Sequence, residues 1–74
     1  MKDNERIIKE TLTNRIESGE NFTFSQICNE VIKNGGDPVL VEDGFSLEEY
    51  LYTLQDLEVL KYSKKFNEFI IQEL

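Results

Sequence analysis

Two short signatures constrain this chain more than anything else in it. Thr23 is followed three residues later by Gln26, and Ser46 by Glu49, and each pair stands at the head of an apolar stripe. The first N–H groups of a helix have no partner within the helix. A hydroxyl at the cap accepts from the third helical N–H, while the Gln or Glu reaches back to the N–H of the cap. The pairs therefore predict helix starts at Thr23 and Ser46. The first of these helices runs to about Asn34, where Gly35 and Gly36 stop it. Its stripe is Phe24, Ile27, Cys28, Val31 and Ile32, which repeats as one face of a helix does. The next places Leu47, Tyr50, Leu51, Leu54 and Leu57 inward and Glu48, Glu49, Tyr52, Thr53, Gln55 and Asp56 outward.

The segment before Thr23 has room for one more helix, from about Asn4 to Ser18. Ile8, Leu12 and Ile16 recur every fourth residue, and Ile7 widens the stripe. Asp3 or Asn4 can cap its start, and Gly19 can take the left-handed conformation that ends it. Glu5 with Lys9 and Arg6 with Glu10 form i,i+4 pairs on the wet side. Glu20 to Thr23 is a connector. Residues 37–45 form a loop, with Pro38 barring helix and Asp43-Gly44 signalling a turn; Val39 to Val41 can be a short strand. The last segment has two readings. Val59 to Tyr62 and Glu68 to Gln72 can be strands around a polar turn, or Phe66, Phe69, Ile70 and Leu74 can continue a helix. The hairpin is favoured, because Phe69, Ile70 and Ile71 prefer strands and Ser63, Lys64 and Lys65 break the apolar stripe.

Seventy-four residues make one domain, residues 1–74, and a chain of this size buries only about 60% of its unfolded surface. With 39% hydrophobic residues in clusters it should still fold. The formal net charge is −7. Between Lys33 and Lys61 there is no basic residue and there are seven acidic ones. Such a surface repels phosphate and anionic lipid. The single cysteine, Cys28, excludes an internal disulfide, and a reducing cytoplasm is the expected compartment. No apolar run approaches the ~18 residues of a membrane span, and the first residues lack the apolar region of a signal peptide. The abundance of Ile, Asn, Lys, Glu and Phe, with no Ala, reads as a bias of the source genome.

The absence of histidine removes the commonest general base and every Ser–His or Cys–His nucleophile pair. Cys28, on an apolar stripe, reads as a core thiol with nothing near it to stabilise a thiolate. Asp37, Glu42 and Asp43 could face a hard cation, but their spacing fits no calcium-loop template. No glycine-rich phosphate loop is present. Neither an enzyme nor a cofactor is expected.

Three short helices and a terminal hairpin, carried by the capped Phe22–Val31 segment and by Ser46–Leu60 running from helix into strand, resemble a winged helix-turn-helix domain over roughly residues 4–72. The expected fold is thus α+β and mainly helical, a three-helix winged-helix-like domain with a C-terminal β-hairpin. In that family the third helix enters the major groove and the hairpin tip touches the DNA backbone or minor groove. The resemblance implies that Glu49, Tyr52, Thr53 and Gln55 would face a groove, with Lys61, Lys64 and Lys65 as the wing.

Charge and fold thus point to two functions. One is a protein-interaction module, of a phage or mobile-element kind, that meets a basic partner through Glu48, Glu49, Tyr52, Gln55 and Asp56; its acidic surface would also suit a mimic of DNA. The other is a DNA-binding regulator that uses Thr53, Lys61, Lys64 and Lys65, with a homodimer doubling the lysine wings.

Overall fold

The computed structural model describes residues 3–72. Three helices come first: α1 (Asp3–Ser18), α2 (Phe24–Lys33) and α3 (Leu47–Asp56). An antiparallel hairpin of β1 (Leu60–Ser63) and β2 (Glu68–Ile71) follows, with Tyr62 opposite Phe69 and Lys61 opposite Ile70. The domain is α+β and mainly helical, and its element order is compatible with a winged-helix-like layout. The hairpin displaces the continued-helix reading; Leu74, which that reading used, lies outside the described residues.

The caps form as the chemistry requires. Thr23 Oγ1 accepts from the Gln26 N–H at 3.1 Å, and Gln26 Oε1 accepts from the Thr23 N–H at 2.9 Å. Ser46 Oγ accepts from the Glu49 N–H at 3.2 Å; here the hydroxyl half of the box is described, without the return bond. α1 does not use Asp3 or Asn4 as its cap, since both lie within the first helical turn. Asn4 instead grips the loop after α2: its Nδ2 donates to the Asp37 carbonyl at 3.1 Å and its Oδ1 accepts from the Asp37 N–H at 2.6 Å.

The core lies where the three helices meet the hairpin. Ile8, Leu12, Phe22, Ile27, Val31 and Leu47 are fully buried, and Leu51, Leu54, Leu60 and Phe69 nearly so. Phe22 comes from the connector that carried no strand expectation. It pairs with β2 as an isolated bridge, through Phe22 N–H to Phe69 O at 3.1 Å and Phe69 N–H to Phe22 O at 2.7 Å. Three expected core residues stay outside. Ile32 stands about 100° around the helix from Val31, Phe24 sits on the first turn of α2, and Leu57 is the C-cap of α3; they are 58%, 43% and 64% exposed. Val39 to Val41 do not form a strand and point largely to solvent. The loop closes instead by a two-residue turn. Glu42 and Phe45 exchange both backbone bonds across Asp43 and Gly44, whose φ values of +52° and +77° suit the tight turn of a twisted ribbon.

Two helix ends show opposite solutions to one backbone problem. After α2, Gly35 takes φ +91°, with Gly35 N–H to Ile32 O and Gly36 N–H to Val31 O closing the end. After α3 the same pair of bonds runs from Glu58 N–H to Gln55 O and from Val59 N–H to Leu54 O, but the left-handed residue, φ +62°, is Glu58. Glycine has no Cβ to strain there. Glu58→Gly should therefore stabilise the domain by about 0.5–1 kcal/mol in denaturant unfolding. Glu58→Ala should not, which separates backbone strain from the loss of a negative charge.

Gly36 is required for a different reason. A Cβ built there would lie 2.9 Å from both Ile7 Cγ2 and Val31 Cγ1. Gly36→Ala should cost about 1–3 kcal/mol by pushing α1 from the end of α2. An unchanged unfolding midpoint would show that this packing gives way easily.

Candidate functional site

Two neighbouring strips run along α3 beside its buried face. Glu48, Leu51, Tyr52 and Gln55 recur as i, i+3, i+4, i+7 and face the hairpin. Glu49, Thr53 and Asp56 lie on the neighbouring exposed strip, where Thr53 Oγ1 donates back to the Glu49 carbonyl at 3.1 Å. Between this strip and the hairpin lies a groove of about 300 Å³, with Tyr62 and Phe69 of the hairpin and Phe24 of α2 also in its lining.

The floor is firm. Leu51 and Phe69 are 2% and 7% exposed. Phe69 is held from behind by the Phe22 ring, stacked at 5.4 Å between centroids and 22° between planes. The walls are aromatic and open: Tyr62 leans on Phe69 at 5.1 Å and 56°, and Phe24, Tyr52 and Tyr62 all reach solvent. The Tyr62 hydroxyl is tied to Asn67 Oδ1 at the hairpin turn, which fixes its ring. Gln55 Nε2 donates to the Leu51 carbonyl at 3.3 Å. Among the described residues no basic side chain lines the groove, and Glu48 contributes a carboxylate to it.

Of the residues the sequence assigned to a partner, Glu48, Tyr52 and Gln55 therefore come together in the groove, while Glu49 and Asp56 do not line it. The wing residues fall elsewhere. The pleat turns Lys61, opposite Ile70, to the face away from Tyr62 and Phe69, and Lys64 and Lys65 occupy the turn. All three are exposed, and Lys65 Nζ sits 5.5 Å from the centre of the exposed Phe66 ring. Sequence reasoning missed Phe24, Leu51, Tyr62 and Phe69 as groove residues. The first two lie on helix stripes that read as core. Tyr62 and Phe69 come together only because the turn of the hairpin pairs their strands.

The acidic loop does not gather a metal site; among the described residues no three carboxylate or thiolate groups converge on one. None of the described helices is long and apolar enough to cross a membrane. No family model, no curated protein and no solved structure matches the chain.

Cys28 is half-buried against the core rather than sealed within it, as its stripe had implied. Burial raises its thiol pKa above the ordinary 9.0. Native protein should therefore react with a thiol reagent more slowly than unfolded chain, and its rate should rise at a more alkaline pH. The linked effect has a definite sign. As pH climbs past 9.0 the unfolded thiol loses its proton before the folded one, so folding stability falls there, and Cys28→Ala should remove that part of the alkaline loss. Equal reactivity in native and unfolded protein would show that the thiol is open.

Proposed function

We propose that this domain is a non-enzymatic module that binds a basic protein partner through the groove between α3 and the hairpin. The observation that carries the reading is three solvent-reaching aromatic rings around a buried apolar floor with an acidic edge. Aromatic side chains supply much of the energy at protein interfaces, because they bury a large area for few rotatable bonds. Among the described residues the lining of the groove offers phosphate no cation. The winged-helix relationship itself is part of this proposal. It is supported by the order of the elements and by the Phe22 bridge to the hairpin.

The competing reading, a DNA-binding regulator, is favoured by the three exposed lysines of the hairpin. They could neutralise about three phosphates, a contact that salt weakens strongly. The two readings separate cleanly. A photo-crosslinking amino acid at Tyr52 should trap a defined protein in source cells. The same group at Thr13, exposed on α1, should not trap it, and Glu48→Lys with Glu49→Lys should abolish the adduct. In a mobility-shift assay near physiological salt the wild-type chain should leave duplex DNA unshifted. Specific binding of duplex that is lost with Lys64→Glu and Lys65→Glu would replace the interaction reading with the regulator.

A further inference from the structure

We infer that the anchor of this site is a single cationic side chain, an arginine or lysine of the partner, seated over the aromatic walls of the groove beside Glu48. The inference rests on the protein-binding reading and specifies what the groove takes hold of.

The first argument is chemical. Tyr52, Tyr62, Phe24 and Phe69 all line the groove, and the first three reach solvent. A ring face is the negative part of its quadrupole, so a cation within about 6 Å of the centroid is attracted to it. The polar groups reinforce this sign. Glu48 supplies a carboxylate. Gln55 commits its amide nitrogen to the Leu51 carbonyl, which leaves its carbonyl oxygen as the accepting end.

The second argument is size and shape. About 300 Å³, open to solvent along one side, suits one long side chain entering between α3 and the hairpin better than a whole helix. The walls are set in advance: the Tyr62 ring is fixed by Phe69 on one side and by its bond to Asn67 on the other. An aliphatic stem can lie on Leu51 while its charged head reaches Glu48.

The third argument excludes the exposed apolar loop of a second copy as the occupant. The exposed apolar loop of this chain, Val39 to Val41, would be the natural intruder. It is flanked by Asp37, Glu42 and Asp43, which would bring acids against Glu48 and the other carboxylates of α3.

The test uses the whole chain and two small probes, N-acetyl-arginine amide and its neutral isostere N-acetyl-citrulline amide, followed by two-dimensional NMR. Arginine amide should shift the signals of Phe24, Glu48, Tyr52 and Tyr62, with a dissociation constant on the order of millimolar. Citrulline amide should bind about fivefold more weakly or worse. Glu48→Gln and Tyr52→Ala should each weaken the arginine probe by roughly two- to fivefold, whereas Tyr52→Phe, which keeps the ring, should not. Equal binding of the two probes overturns the cation seat. So do arginine shifts confined to acids outside the groove, or an affinity indifferent to both Glu48→Gln and Tyr52→Ala. Such a failure is distinct from failure of the interaction reading, which the photo-adduct at Tyr52 reports independently of which side chain enters.

Discussion

The domain depends on the two-way backbone bridge between Phe22 and Phe69. A two-stranded hairpin by itself is marginal in water, because its ladder satisfies few groups and one face stays wet. Here the connector between α1 and α2 serves as a partial third strand. Phe22 exchanges both backbone bonds with Phe69, and Asn21 Oδ1 accepts from the Ile71 N–H at 3.0 Å. The stacked rings of Phe22 and Phe69 then carry the hairpin into the helical core. Because Phe69 spends its N–H and C=O on Phe22, it faces Tyr62 as a non-hydrogen-bonded pair, the kind in which side chains stand closest. That closeness builds the wall of the groove, so the contact that anchors the fold also shapes the site.

The helices are joined by polar contacts at the margins of the apolar stripes. Arg15 donates from Nε and Nη2 to Glu30 Oε2 at 3.0 and 2.6 Å and lies over the Phe22 ring, tying α1 to α2 above the bridge. Thr11, buried on α1, donates to the Ile7 carbonyl at 2.7 Å and accepts from Asn34 Nδ2 at 2.9 Å, which closes the end of α2. Asn4 holds Asp37, and Gly36 lets α1 approach. α1 thus acts as a clamp on the exit of α2. The loop that follows is fixed at its start although its apolar side chains face solvent.

The helices were legible because their ends are chemical. A hydroxyl with Gln or Glu three residues on, or a glycine after a stripe, announces itself within a few residues; Thr23, Ser46, Gly19 and Gly35 did so. Long-range partners gave no such signal. Asn4 carries the same side chain whether it caps a helix or grips a loop 33 residues away, and only the tertiary fold decides between them. Val39 to Val41 have strand propensity but no neighbouring strand among the described residues. Glu58 gave no warning of a left-handed backbone, since the sequence marks such positions only when they are Gly or Asn. The stripes were right at their centres and wrong at their ends, because burial needs a neighbour as well as a phase. Ile27 and Val31 face α1 and the core, whereas Phe24 lies at the start of its helix and Leu57 at the end of its own.

The candidate site was half legible for the same reason. Glu48, Tyr52 and Gln55 could be placed together on one exposed face because their phase on one helix is local information. Phe24 and Leu51 were assigned to the interior and Tyr62 and Phe69 to the strands of the hairpin; of the four, Leu51 and Phe69 are nearly buried. What turns them into a site is the distance at which the hairpin stands from α3, leaving an opening that core packing does not fill. In a domain this small every aromatic ring withheld from the core weakens it. Phe24 and Tyr52 are withheld, while polar residues at either position would be easier to hydrate. Their exposed area adds little to the stability of the isolated chain. Under the proposed reading, a partner that covers the groove and brings positive charge to its edge would bury that area.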